Sequence, residues 1–272
     1  LKHDGFIKSM ATPIVKVTKG SNTIEFCNLS DYDNWKNEND TKGWNIKYYK
    51  GLGTSNREEA KEYFKNMKQI SYVLDENSDK SMIKAFDKKF ADARKDWLKP
   101  YDPTNVLNIK SGDNQVSHTE FVDKELIHFS NYDNIRSIPH LIDGLKPSQR
   151  KVLYASFLKN LRKDVKVSQF TGYISEKTSY HHGEMSLQGT IISMAQDFVG
   201  ANNIELLVPS GQFGTRLQGG KDHASPRYIF TRLSNLTDKI FIKSDEPILK
   251  YLDDDGTSIE PEKYVPILPM IL

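Results

Sequence analysis

The chain has 272 residues, 38 Lys and Arg against 36 Asp and Glu, and 37% hydrophobic residues; this apolar content fills one large domain or two and excludes a disordered or fibrous protein. No apolar run approaches the ~18 residues of a membrane-spanning helix, so no membrane partner is expected. The single cysteine, Cys27, excludes an internal disulfide framework or a thiolate zinc cluster and suits a reducing, intracellular compartment.

The N-terminal third reads as mixed strands and helices. Thr12–Val17, Thr23–Cys27 and Trp44–Tyr49 have strand character, and Lys50-Gly51-Leu52-Gly53-Thr54 follows as a tight turn. Ser55-Asn56-Arg57-Glu58 predicts a capping box opening a helix, with Ala60, Tyr63, Phe64 and Met67 as its apolar stripe. A second helix is expected to carry Ile83, Phe86, Phe90 and Trp97 on one face and to end by Pro100. Residues 101–119, poor in hydrophobics, read as a linker.

Beyond the linker, Pro147 suits the first turn of a helix running to about Asn160, followed by helices over Val167–Glu176 and Gly183–Val199. Hairpin-like chain with Gly211, Gly214, Gly219 and Gly220 comes next, and the series predicts a winged helix-turn-helix. From about Leu233 the texture changes to an acidic stretch, Asp245–Glu262, and an apolar, proline-containing end. The chain opens on Leu1-Lys2-His3 and closes on Pro269-Met270-Ile271-Leu272, which reads as part of a longer protein.

The net charge of +2 conceals an asymmetry: from Arg136 to Arg232 there are thirteen Lys and Arg against seven Asp and Glu, with four of the seven histidines. A polyanion would meet this stretch; a solvated basic face is the alternative. Within it, Gly211–Gly214 and Gly219–Lys221 offer backbone amides that can approach a phosphate closely. Ser225-Pro226-Arg227-Tyr228 places a phenol beside a guanidinium. A phenol of pKa about 10 must gain roughly 4 kcal/mol to act as a nucleophile near pH 7, and a neighbouring cation or a divalent metal supplies part of it. Read alone, an Arg-Tyr pair is far more often an ordinary packed tyrosine than a nucleophile. Tyr180-His181-His182-Gly183-Glu184 puts two imidazoles at a helix start, where phosphate contact and plain surface exposure are both open readings. Asp31-Tyr32-Asp33 and Asp253-Asp254-Asp255 read as solvated loops, not metal sites, and no Walker-type loop for ATP is present.

Taken jointly, several segments resemble type IIA DNA topoisomerases of the eukaryotic and large-virus kind: Tyr48–Thr54, Arg136-Ser137-Ile138-Pro139, Asp143-Gly144-Leu145-Lys146-Pro147, Gln149–Leu153, Tyr180–Glu184 with Ser186-Leu187, and Gly211–Tyr228. Ser148 stands where the family usually has glycine. The resemblance implies an α+β chain: the C-terminal part of a TOPRIM α/β domain over 1–100, a linker over 101–119, a winged-helix domain over 120–232, and the start of a tower domain over 233–272. It implies transient double-strand cleavage, strand passage and religation by an ATP-hydrolysing homodimer acting on double-stranded DNA. Tyr228 would form a 5′-phosphotyrosine, with Arg227 and His182 on the same phosphate. Arg136, Lys146, Arg150, His181 and Lys221, together with Lys50, Gly51, Gly53 and Thr54, would contact DNA. Mg²⁺ would be held by carboxylates outside this chain, with no metal ligands within it, and ATP by a separate domain. The compartment would be the nucleus for a cellular protein, and the host cytoplasm, virus factory or nucleus for a viral one. A winged-helix DNA-binding module without chemistry is the alternative.

Overall fold

The computed structural model describes residues 3, 5–107 and 114–271. The chain divides into two compact units, residues 1–132 and 133–272.

In the first unit, β1 (Lys8–Met10), β2 (Val15–Lys19) and β3 (Asn22–Phe26) lead into α1 (Leu29–Glu38), then β4 (Asn45–Tyr48), α2 (Arg57–Lys65) and β5 (Gln69–Val73). The sheet β3-β2-β4 is antiparallel throughout, with Val15 opposite both Phe26 and Tyr48. Val15 and Val17 alternate into a core closed by Phe26, Tyr32 and a flanking Trp35 and Trp44. Tyr32 is therefore a core residue of α1, and the Asp31-Tyr32-Asp33 segment is helix rather than loop, with Asp31 N–H bonded to the Asn28 cap at 2.8 Å.

The helix after the glycine turn is capped by Asn56 with Glu59, one position later than the expected Ser55–Glu58 pair. Its expected stripe also narrows: Tyr63 is buried, but Phe64 and Met67 are exposed. The single helix expected over Ile83–Trp97 is three pieces: α3 (Ser78–Phe86), a 3₁₀ turn (Lys88–Phe90) and α4 (Ala91–Leu98). Asp87 breaks it, with extended backbone and a side chain accepting from Lys89 N–H at 2.9 Å. Arg94 bridges the break by donating to the Lys84 and Asp87 carbonyls. Ile83, Phe86 and Phe90 are consequently exposed.

The expected linker needs a correction. Residues 108–113 lie outside the described residues, but β6 (Asn114–Ser117) pairs in parallel with β5, in the sheet order β1-β5-β6. Only one face of β6 is buried, through Val116 against Ile70 and Leu107, which leaves the segment too polar to read as a strand. Ser117 then caps α5 (His118–Phe121), which runs through a π-helical turn (Val122–Leu126) into α6 (Ile127–Ser137). The division between the units falls inside α6.

The second unit holds α7 (Pro147–Leu158), β7 (Val165–Lys166), α8 (Val167–Thr178), α9 (Glu184–Ala195), β8 (Leu207–Ser210) and β9 (Phe230–Leu233). It continues through α10 (Thr237–Ile240), a 3₁₀ turn (Lys243–Ile248), β10 (Tyr251–Asp254) and β11 (Thr257–Pro261). Val152, Leu153, Phe170, Ile174, Leu187 and Ile191 bring three helices together over the antiparallel sheet β7-β9-β8. This is a winged-helix arrangement. Ile240, Phe241 and Tyr264 join the same core, so the residues after Leu233 pack onto the winged helix. Asp253-Asp254-Asp255 ends one hairpin strand and makes its turn, where Asp253 accepts from Gly256 N–H at 2.9 Å.

Candidate functional site

Tyr228 ends the turn that precedes β9. Ile229, Thr231 and Leu233, which follow it, are buried. Tyr228 is 72% exposed, directly beside Ile229 at 1%. The backbone around it is tied to α8. That helix has no side-chain cap. Instead, Val167 N–H donates to the Ile229 carbonyl at 3.0 Å and Ser168 N–H to the Pro226 carbonyl at 3.1 Å, which satisfies amides a helix start otherwise leaves orphaned. A turn closes when Tyr228 N–H donates to the Ser225 carbonyl at 2.9 Å. An exposed phenol on a stapled backbone, with Arg227 exposed beside it, is a side chain presented outward rather than one packed on a wing.

The two imidazoles follow the end of α8. Ser179 ends it in left-handed conformation, φ 47°. The Lys151 ammonium donates to the last helical carbonyl, Thr178, at 2.6 Å and to the Glu260 carboxylate, buried on β11, at 2.8 Å. This clamp fixes the point from which Tyr180-His181-His182 departs. The Tyr180 ring meets the His182 ring edge-on with centroids 5.6 Å apart, and His181 and His182 are both exposed. Partial burial, then the nearby charges of His181, Arg136 and Lys151, hold His182 below the usual imidazole range. Its ring is a neutral donor and acceptor at pH 7. Arg136 belongs electrostatically to the same cluster and pairs with Asp133 at 2.7 Å.

Arg150 is not a surface cation and does not reach outward to DNA. It is 4% exposed and makes a bidentate pair with Asp143, itself at 0%, at 2.7 and 2.9 Å. The same carboxylate accepts from Leu145 N–H and Tyr264 N–H. A buried carboxylate demands a cation and full hydrogen bonding, and Arg150 is consumed in meeting that demand. The pair shapes the turn before α7, where Gly144 has φ +66° and a Cβ would lie 2.7 Å from the Met270 backbone. Lys146, at the start of α7, remains exposed.

The glycines of the wing serve close packing on one another. A Cβ on Gly214 would lie 2.5 Å from the Gly220 carbonyl oxygen. Gln196, just past α9, donates to the carbonyls of Phe213 and Gly220. Asp222 accepts from Thr215 N–H and Oγ1, closing the tip, and Lys221 stays exposed.

Comparison with known proteins decides the family. Residues 136–272 match the family model for the A subunit of DNA gyrase/topoisomerase IV, and residues 10–134 match the C-terminal associated domain of TOPRIM. This chain belongs to the type IIA DNA topoisomerase family. It is 52% identical to DNA topoisomerase 2 of Saccharomyces cerevisiae over 98% of this chain and 19% of that protein. It is 50% identical to the Plasmodium falciparum enzyme over 100% of this chain and 20% of that one. Against human DNA topoisomerase 2-alpha the identity is 49%, over 98% of this chain and 18% of the relative. The crystal structure of the Plasmodium falciparum topoisomerase II DNA-binding, cleavage and re-ligation domain superposes with a TM-score of 0.86 at 50% identity, covering 100% of this chain and 37% of that one. The chain thus spans about a fifth of the length of these curated relatives.

In the first unit of this topoisomerase segment, Lys50, Gly51, Gly53 and Thr54 form an exposed turn, with Gly51 at φ +61° and Lys50 N–H bonded to Thr54 Oγ1 at 3.2 Å. Burial would raise the Glu59 carboxyl at its base, but hydrogen bonds from Lys47, Tyr49 and the Asn56 amide outweigh burial and hold it at about 2. Among the described residues no three His, Cys, Asp or Glu side chains converge into a group able to hold a metal ion, so the residues present do not fit a Mg²⁺ site of their own. Lys151, Glu260, Gln196, Asp143 and Glu59 all support site segments without having been singled out from sequence. Asp143 and Arg150 lie seven positions apart in two neighbouring segments of the resemblance, whereas Glu260 lies 109 positions from Lys151 and carries no local signal.

Proposed function

We propose that this chain is the DNA breakage–reunion segment of a type II topoisomerase, with Tyr228 as its nucleophile. The observation that carries the reading is the presentation of Tyr228: a phenol 72% exposed, next to an exposed arginine, on a backbone held by α8. The Tyr228 oxygen attacks a DNA phosphorus, an O–P bond to tyrosine forms, the P–O3′ bond breaks, and the phenolic proton leaves while the 3′ oxygen gains one. One phosphodiester replaces another, so the bond energy is kept, and the reverse attack by the 3′ hydroxyl religates without ATP. Positioning and charge stabilisation dominate such a step. Arg227 stabilises charge on the phosphate, the neutral His182 ring donates an N–H to it, and His181, Arg136, Lys146 and Lys221 contact the DNA backbone, as do Lys50, Gly51, Gly53 and Thr54 on the other unit.

Cutting both strands takes two such tyrosines, hence a homodimer. Mg²⁺ and ATP belong to this reading as cofactors bound by groups outside the described residues. The domain reading becomes a TOPRIM-associated unit to about residue 132 and a winged-helix unit beyond it, whose residues 233–272 begin a tower domain. Action on chromosomal DNA places the intact protein in the nucleus of a cell, or with viral DNA if the source is a virus. The test is Tyr228→Phe in the intact protein. The expected result is loss of the covalent protein–DNA adduct with duplex binding kept within about threefold, since one hydroxyl adds little to a contact dominated by phosphates. An adduct that persists in Tyr228→Phe contradicts the assignment, and no adduct in either version favours a binding module without chemistry.

A further inference from the structure

The turn Lys50–Thr54 leaves a strand that is well anchored and enters a helix that is well capped. Both anchorages end on one carboxylate. Before the turn, Tyr49 N–H still donates to the Ile14 carbonyl of the sheet at 2.8 Å, and the buried Tyr49 ring sends its hydroxyl to Glu59 Oε1 at 2.6 Å. After the turn, Asn56 N–H donates to Glu59 Oε2 at 2.8 Å, and Glu59 N–H returns a bond to Asn56 Oδ1 at 2.8 Å. The Lys47 ammonium bonds both Glu59 oxygens, at 3.0 and 2.8 Å, and lies 4.7 Å from the centroid of the Tyr49 ring. The acceptor sites of this carboxylate are thereby taken, so it is not a ligand for an ion or a partner.

A helix cap needs only the bonds between Asn56 and Glu59. The bond from Tyr49 is surplus to capping, and its effect is to join the chain entering the turn to the chain leaving it. A turn closed at its base by a short charge-assisted bond holds its exposed residues in one geometry. We infer that Glu59 and Tyr49 are positioning residues for DNA binding: their bond closes the base of the Lys50–Thr54 turn and fixes Lys50 where it meets a phosphate. This rests on the reading that the turn faces DNA.

The test is a double-mutant cycle in the intact protein, read as the affinity for a labelled duplex oligonucleotide across a salt series. Glu59→Ala removes the cap as well and can fail to fold, so Tyr49→Phe is the informative variant, because it keeps the ring and the capping box. Lys50→Ala is expected to weaken binding by about threefold and to lower the salt slope by about one for each protomer. Tyr49→Phe should move both quantities in the same direction, and in the Lys50→Ala background its effect should be clearly smaller. If Lys50→Ala weakens binding while Tyr49→Phe has no effect, or an effect that simply adds, the positioning role is overturned and the DNA-facing turn stands. If Lys50→Ala changes nothing, the DNA-facing reading of the turn falls and the positioning role with it, whatever becomes of Tyr228.

Discussion

Asp143 illustrates what a buried charge requires of its neighbours. Four donors converge on it, two from Arg150 and two from backbone amides. Removing one partner of such a pair leaves the other uncompensated in low dielectric, at about 3–5 kcal/mol. Asp143→Ala should therefore lower the free energy of unfolding, read from a denaturant titration, by an amount in that range. Arg150→Ala should also destabilise, yet leave the salt slope of DNA binding unchanged, which separates it from Lys146. His182 offers a second check at this scale. Its folded value lies below the ordinary imidazole value of about 6.5, so the neutral ring favours folding above pH ~6.5 and the benefit is lost as the pH falls below that. An NMR titration of the free protein should find its midpoint under 6.5 and find it raised when duplex DNA is bound, because phosphate favours the charged ring. A midpoint above 6.5 without DNA would contradict the electrostatic picture.

At the scale of elements, local sequence determines the kind of structure better than its partners. Strand, glycine turn and capped helix are legible at Trp44–Lys65 because turn and cap chemistry is local. The cap itself lies one residue further on, since Asn56 and Glu59 and Ser55 and Glu58 offer the same spacing and the bonds from Tyr49 and Lys47 to Glu59 distinguish them. β6 escapes a sequence reading because a one-faced strand four residues long exposes mostly polar side chains. The break at Asp87 escapes it because the apolar spacing continues across it. Tyr228 and its motif are legible, but the role of α8 in holding it is not: carbonyls from a distant loop replace a capping side chain, and no residue type signals that. The α2 cap gives a pH prediction. Glu59 is held at about 2 in the folded chain against about 4.3 when unfolded, so its contribution is complete above pH ~4.3 and is lost as the pH falls through about 2. The difference in unfolding midpoint between the native chain and Glu59→Gln should therefore shrink steadily as the pH falls from about 5 to about 2. A difference independent of pH would mean that the carboxylate charge is not what holds the cap.

On the scale of the whole molecule, two units with separate cores carry different parts of the proposed DNA contact. The basic bias is confined to residues 136–232 of the second unit, where the tyrosine and the paired histidines lie, and the acidic stretch that follows offsets it. Charge patterning and motif order make that division of labour readable, while the boundary itself comes from packing, since α6 runs through it without a break. One covalent bond, between Tyr228 and a DNA phosphate, is central to the proposed reaction. Trapping the intact protein on DNA with denaturant, digesting it and mapping the nucleotide-bearing peptide by mass spectrometry tests it directly. The peptide is expected to contain Ser225-Pro226-Arg227-Tyr228, with the phosphate on Tyr228 and attached through a DNA 5′ end. A nucleotide on any other residue, or linkage through a 3′ end, would contradict it.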